Sequence, residues 1–173
     1  MSTSSIAISA PRGNALKTIL TAGLLAGVLD GLDAIVYFGW FRKAGVGPLF
    51  QYIASGLLGE ASFREGGLTI ALGIFFQLFI ATGAAAVYYA ITRVMPTIFG
   101  KKIFGKTILD KPILFGTIFG LAVFFIMHYI VVPLSAVPGH SATGLVDYIS
   151  LIISHIFFVG LPIAIVTSRA SNR

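Results

Sequence analysis

The sequence predicts an all-α integral membrane protein, a four-helix bundle with one further, interfacial helix on its outer side. Two observations support this fold class. Hydrophobic residues make up 57% of the chain and charged residues only 10%, whereas soluble domains carry about 25% charged residues. Four apolar stretches also reach the roughly 20 residues that a helix needs to cross a bilayer. We therefore expect a multi-pass membrane protein.

The four apolar stretches define a single domain over residues 15–169. They cover residues 16–40, 68–92, 112–132 and 145–167. Pro96 is expected to close the second span, because proline removes a helical hydrogen bond. A disordered tail is predicted for residues 1–14, which are rich in Ser and Ala, and a short C-terminal tail for residues 170–173.

A fifth helix is predicted between the first two spans, in the segment 49–58. This segment is too short to cross a bilayer. Its large apolar residues share one helical face, and they are Leu49, Phe50, Ile53, Leu57 and Leu58. A helix with such a face lies in the membrane interface. We expect it to lie on the outer leaflet or to cap the bundle.

Basic residues are concentrated in the loop between the second and third spans, at residues 93–111. They are Arg93, Lys101, Lys102, Lys106 and Lys111, against the single acidic residue Asp110. Loops rich in Lys and Arg stay on the cytoplasmic side, so both termini are expected inside and the fifth helix outside. The same loop is expected to contact anionic lipid, and we expect no nucleic-acid partner.

Glycines at four-residue spacing mark two faces for close helix packing. Gly23, Gly27 and Gly31 lie in the first span, and Gly116 and Gly120 lie in the third. Small residues at this spacing let two helices approach closely in a membrane. We interpret all five glycines as packing positions.

Five polar residues inside the spans form the candidate site: Asp30, Asp33, Gln77, His128 and His155. A charge at the centre of a membrane costs roughly 2.5–3.5 kcal/mol, so it needs a partner, water or a function. Counted from the cytoplasmic ends of the helices, Asp30, Gln77 and His155 share one level. Asp33 and His128 lie about one turn, roughly 5 Å, farther out. The sequence thus predicts a polar cluster in two adjacent layers.

This intramembrane polar cluster has three explanations, which the sequence leaves open. In the first, its members hydrogen-bond to one another and hold the helices together. In the second, they form a proton or ion path, with the aspartates as carriers and the histidines as titrating partners. In the third, Asp30, Asp33, His128 and His155 bind a divalent metal or a cofactor.

No sequence motif assigns a catalytic residue. The chain has no cysteine, no HExxH pair of zinc ligands and no GxSxG serine elbow. Serine, histidine and acidic residues occur in the predicted outer loops, where such residues are usually solvated. We therefore expect no enzyme activity and no cofactor.

Three short segments carry a resemblance to a known family. They read IASGLLG at 53–59, AAAVYY at 84–89 and VPLS at 132–135. With them the chain resembles a family of small bacterial four-span inner-membrane proteins to which no activity is assigned. The resemblance implies a bacterial inner-membrane location and a single four-helix domain, and it brings no functional residue.

The sequence favours a non-enzymatic membrane protein that self-associates or serves as a small subunit of a membrane assembly. Its small size and glycine-rich faces motivate this hypothesis, since four short helices enclose little volume. The alternative is a small transporter or proton-conducting protein that uses the Asp/His cluster.

Overall fold

In the computed structural model, all regular structure of the described residues, 14–99, 107–139 and 144–171, is helical. We number the helices α1 to α6. They are α1 (Ala15–Phe41), α2 (Val46–Leu58), α3 (Gly67–Phe99), α4 (Thr107–Asp110), α5 (Pro112–Leu134) and α6 (Leu145–Ser171). A 3₁₀ turn at Gly59–Phe63 follows α2. The helices α1, α3, α5 and α6 are each long and apolar enough to cross a membrane, which confirms the four predicted apolar helices.

The helix ends differ most from the predicted ends at the C-termini of α3 and α6. The helix α3 does not stop before Pro96 but runs through it to Phe99. Proline is tolerated inside apolar membrane helices, because neighbouring groups satisfy the carbonyl that it frees. At the C-terminus, α6 extends to Ser171 into the predicted tail. The predicted disordered segment 1–14, apart from Asn14, lies outside the described residues, and so do residues 100–106 of the basic loop, with Lys101, Lys102 and Lys106.

Asn14 starts the first helix. Its side-chain Oδ1 accepts hydrogen bonds from the backbone N–H of Leu16 at 3.1 Å and of Lys17 at 3.4 Å. The first amides of a helix have no partner within the helix, and Asn is among the residues that cap them best. The start of α1 is therefore fixed locally by the sequence.

Large apolar side chains cover much of the outside of the bundle, and on α1 the residues that face inward are small. On α1, Ala22 and Ala26 are fully buried, whereas Leu24, Val28 and Leu32 are 46–55% exposed. A soluble protein would bury the large side chains. Between helices in a membrane, close packing of small residues replaces the hydrophobic effect. This surface indicates a multi-pass membrane protein.

The helices α1 and α6 form the central pair of the bundle. Helix α1 contacts α3 on one side and α6 on the other, while α6 also contacts α5. The two flanking helices, α3 and α5, contact each other through aromatic rings, since the centroids of Tyr88 and Phe119 lie 4.9 Å apart. The interface between α1 and α6 thus runs along the middle of the bundle.

Glycines form the contact between α1 and α3. A Cβ atom on Gly23 would overlap the backbone of Thr82, and one on Gly27 would lie 3.0 Å from the Leu78 side chain. Gly31 has more room, because its nearest neighbour, the Gln77 side chain, lies at an ordinary contact distance of 3.7 Å. The close approach is therefore confined to the first two glycines of the predicted face.

A second glycine contact joins α5 to α6. Added Cβ atoms on Gly116 and Gly120 would crowd the backbone of α6, the latter at the carbonyl of His155. Gly160 on α6 faces both of them, and its own Cβ would overlap the Gly116 carbonyl. Sequence analysis did not single out Gly160 as a packing position, because it has no glycine partner four residues away. The other four glycines at these two contacts lie on the predicted faces; they are Gly23, Gly27, Gly116 and Gly120.

The face of α2 that packs against the protein coincides only in part with its apolar face. Phe50, Gln51, Ala54 and Ser55 are buried, whereas Leu57 is 69% exposed. The polar side chains can face inward because they are bonded there; the Gln51 amide donates to Thr69 Oγ1 at 3.3 Å. The apolar face therefore stays partly exposed, and the interfacial location expected for this helix stays a prediction.

The helix α2 crosses one end of the bundle, which we call the α2 end. It packs on the second turn of α3, where a Cβ on Gly73 would overlap the Phe50 carbonyl. Its last turn reaches the chain after α5, and the Ala136 N–H donates to the Gly56 carbonyl at 2.9 Å. This bridge fixes the α2 end relative to α3 and α5.

Three of the four long helices contain a widened π-helical segment. These are Ile35–Phe41 in α1, Met127–Val131 in α5 and His155–Gly160 in α6. Two of them directly precede Pro133 or Pro162. A proline ring crowds the carbonyl four residues earlier and leaves it without its N–H partner. A wider turn relieves this crowding, and it alters which residues face the neighbouring helices.

Candidate functional site

Asp30 joins three helices. From α3, the Gln77 amide donates to Asp30 Oδ2 at 2.7 Å. From α6, the Ser154 hydroxyl donates to Asp30 Oδ1 at 2.9 Å. Ser154 is only 6% exposed, so this bond has little competition from water. Each oxygen of the carboxylate therefore has one neutral donor from a different helix.

A small cavity lies beside this carboxylate, between α1 and α6. Its volume is about 60 Å³, and it is lined on α1 by Asp30, Asp33, Ala34, Tyr37 and Phe38 and on α6 by Ser150, Leu151, Ser154 and His155. About 15 Å³ of such volume is enough for one water molecule. The cavity thus has room for a few waters, and its walls offer both hydrogen-bond donors and acceptors.

The cavity ends at an ion pair near the α2 end. The Tyr37 hydroxyl donates to Asp147 Oδ1 at 2.9 Å, and Arg42 Nη2 donates to Asp147 Oδ2 at 3.1 Å. The Asp147 side chain is 13% exposed and that of Arg42 is 56% exposed. We call these three residues the clasp. It links the last turns of α1 to the first turn of α6.

The polar seam comprises the polar residues of this cavity and the clasp: Asp30, Asp33, Tyr37, Arg42, Asp147, Ser150, Ser154 and His155. No role was predicted from the sequence for Asp147, Ser150, Ser154 or Arg42. The available signal was a polar periodicity at the start of α6, where Asp147, Ser150 and Ser154 follow helical spacing. That spacing shows a shared face but not which helix the face contacts.

The two histidines lie in different surroundings. His155 lines the cavity, and its Nδ1 lies 2.9 Å from the carbonyl of Leu151. Because a carbonyl only accepts, Nδ1 carries the hydrogen there. His128 instead stacks on Phe124, with ring centroids 5.5 Å apart and planes at 15°. Phe124 also contacts His155 edge-on, so an aromatic ring stands between the two histidines.

The structure therefore brings together four of the five predicted residues around one cavity and its rim. Gln77 reaches it through Asp30, whereas His128 belongs to the aromatic group of Phe124 and Tyr148. Within the described ranges, no three His, Cys, Asp or Glu side chains are placed to hold a metal ion. Binding of a divalent metal by Asp30, Asp33 and the two histidines stays a prediction, to which the geometry adds no support.

A larger surface groove of about 520 Å³ is lined by residues 110–114 and Thr117. All of these residues come from one continuous stretch of chain, at the start of α5. A ligand site normally takes its lining from several elements that enclose the ligand. This groove is a surface concavity along one helix, and we assign it no chemistry.

A phosphate-loop pattern at residues 100–107, GKKIFGKT, lacks the structural context of a phosphate site. The pattern GxxxxGK[ST] binds phosphate when it follows a strand and opens a helix. Here it follows the helix α3 and precedes only the single turn α4, and residues 100–106 lie outside the described residues. We assign it no nucleotide-binding role.

Comparison of the chain with protein-family models, with curated proteins and with solved structures found no match in any of the three. The chemistry of the polar seam is therefore judged from its own geometry.

Proposed function

We propose that this chain is a non-catalytic multi-pass protein of the bacterial inner membrane, working as a small subunit of a membrane assembly or as a self-associating protein. The observation that carries the proposal is the pair of hydrogen bonds that Gln77 and Ser154 donate to Asp30. These bonds tie α1 to both α3 and α6 at one depth. A carboxylate held by neutral donors from two helices fixes helix register, as interhelical hydrogen bonds do in membranes.

The size of the seam cavity also favours a structural role over a catalytic one. Pockets for organic ligands usually measure about 300–1,000 Å³, whereas this cavity measures about 60 Å³. An organic substrate would have to displace α1 from α6 to enter. The contacts of the cavity walls fit water or a small ion instead.

Membrane orientation is part of the same proposal. The basic residues between α3 and α5, with Arg93 and Lys111 at the edges of that region, support a cytoplasmic location for it, next to anionic lipid. Both termini are then inside, and the α2 end faces outward. The exposed Leu57 on α2 supports a location in the outer interface. The resemblance to small bacterial inner-membrane proteins supports the same location.

The test of the subunit or self-association proposal is the mass of the purified protein in mild detergent. Light scattering with the detergent contribution subtracted is expected to give a protein mass above that of one 18.3 kDa chain, or a co-purifying membrane partner. Self-association would have to use surfaces other than Gly23 and Gly27, since α3 already covers them. A strict monomer without a partner would refute the proposal.

A proton or ion path is the second candidate function, and the cavity lined by Asp33 and His155 favours it. Intramembrane acids next to a histidine are the usual groups of such paths. The test is pH-dependent flux in proteoliposomes, which is expected to fall in Asp30→Asn and Asp33→Asn. Asp110→Asn is the matched control, because Asp110 is exposed at the opposite end of the bundle. Unchanged flux in both seam variants would exclude this function.

A further inference from the structure

Polar side chains face one another along two turns of α1 and α6. On α1, Asp30, Asp33 and Tyr37 are spaced three and four residues apart, so they share a helix face. On α6, Ser150 and Ser154 line the same cavity. Both series run in one direction, from the Asp30 carboxylate towards the clasp at the α2 end.

We propose that this seam is a hydrated cleft that admits water and small cations from the α2 end as far as Asp33, and that the clasp closes its mouth. Such a cleft can form whether or not ions cross the whole membrane. It gives the cavity an occupant and an entrance, in addition to the structural role of its walls.

The cavity is expected to contain water because its walls carry a carboxylate that has no hydrogen-bond donor from the part of the protein that the structure describes. Among the described residues, no protein group donates a hydrogen bond to the Asp33 side chain, although that side chain lines the cavity. A carboxylate without partners is costly in a low-dielectric interior. Water satisfies it where there is room for a few molecules and where two to four polar partners are available, and both conditions hold here.

Cation preference follows from the charges of the lining. Two aspartates line the cavity, and neither Lys nor Arg is among its lining residues. Hydroxyl and carboxylate oxygens are the ligands that hard cations prefer. The nearest described positive charge in the seam is Arg42, which is held at the mouth by Asp147.

The clasp is suited to opening. Tyr37 lines the cavity and also donates to Asp147, so the bond between them forms part of the cavity wall. More than half of the Arg42 side chain is exposed, and ion pairs with such exposure contribute at most about 1 kcal/mol. The chain after Arg42 leaves the helix, so the mouth can open without moving the bundle core.

The absence of native cysteine makes the hydration test direct. Ser150→Cys puts a thiol in the cavity wall, and Ile153→Cys puts one on the outer side of the same helix, where Ile153 is 49% exposed. Each purified variant is treated with Ag⁺ in chloride-free buffer, then denatured and labelled with a fluorescent maleimide. The thiolate is the species that binds metal, and its formation needs water. Ag⁺ is therefore expected to protect the thiol of Ser150→Cys from maleimide labelling at least about tenfold faster than the thiol of Ile153→Cys. Equal rates overturn the hydrated cleft.

The role of the clasp is tested by adding Asp147→Ala to Ser150→Cys. Removing a negative charge at the mouth would by itself slow the entry of a cation. Opening the mouth would speed it, so an increased rate of Ag⁺ protection supports the clasp, and an unchanged or lower rate overturns it. If Asp147→Ala does not fold, Tyr37→Phe is combined with Ser150→Cys instead, because it removes only the hydroxyl bond. A faster rate of Ag⁺ protection again supports the clasp, and an unchanged or lower rate overturns it.

Discussion

The bond between Asp30 and Gln77 gives the most direct prediction about what holds this bundle together. The perturbation is a double-mutant cycle with Asp30→Ala, Gln77→Ala and the double variant. The donor and acceptor are 2.7 Å apart. Interhelical hydrogen bonds in membranes contribute about 0.6 kcal/mol on average and up to about 1.7 kcal/mol. Because the 2.7 Å distance is short for an N–H···O bond, we expect a coupling energy in the upper part of that range, about 1–1.5 kcal/mol.

The assay is reversible unfolding by SDS in mixed micelles, followed by circular dichroism. Asp33→Ala combined with Gln77→Ala is the matched control, because Asp33 lies one turn away and makes no bond to Gln77. Its coupling is expected to stay within about 0.3–0.5 kcal/mol, as for sites that share no contact. A coupling between Asp30 and Gln77 no larger than that of the control would refute the proposal that this bond joins α1 to α3.

The remaining predictions concern packing and the clasp. Gly120→Val is expected to lower the free energy of unfolding by about 1–3 kcal/mol or more. Its control, Gly83→Val, is expected to be near neutral, because an added Cβ there meets nothing within 4 Å. Comparable losses of stability in SDS unfolding would contradict the packing assignment. Phe124→Ala is expected to lower the free energy of unfolding by about 3–5 kcal/mol, because Phe124 is only 1% exposed. Phe125→Ala is its control in the same assay, because Phe125 is 44% exposed. Arg42→Gln is expected to cost less than about 1 kcal/mol, with the loss shrinking at high salt; a large, salt-independent loss would show a buried rather than an exposed ion pair.

Depth along each helix was predictable from the sequence, and rotation about each helix was not. Asp30 and Gln77 were placed at one level by counting residues, and the structure places them in contact. Ser154 escaped notice because a serine in a membrane helix can bond to its own backbone and so gives no sign of needing a partner. The face that α2 turns to the protein was not predictable either, because the Thr69 partner of Gln51 lies 18 positions farther along the chain.

The clasp shows why the rest of the site needed the fold. Tyr37 and Asp147 are 110 positions apart in the chain, and they meet only because α1 and α6 are the central pair. A four-helix bundle of similar spans allows several neighbour arrangements, and the apolar residues that face lipid do not distinguish between them.

Four apolar helices long enough to cross a membrane are predictable from the amino-acid sequence alone, because the thickness of the hydrocarbon layer sets the length of each apolar run. Which helices are neighbours, and which polar groups meet, depends on the packing of the folded chain. Packing between small residues and the widened turns before Pro133 and Pro162 set the helix rotations, and those depend on shape complementarity between distant segments. Such complementarity leaves no local pattern in the chain.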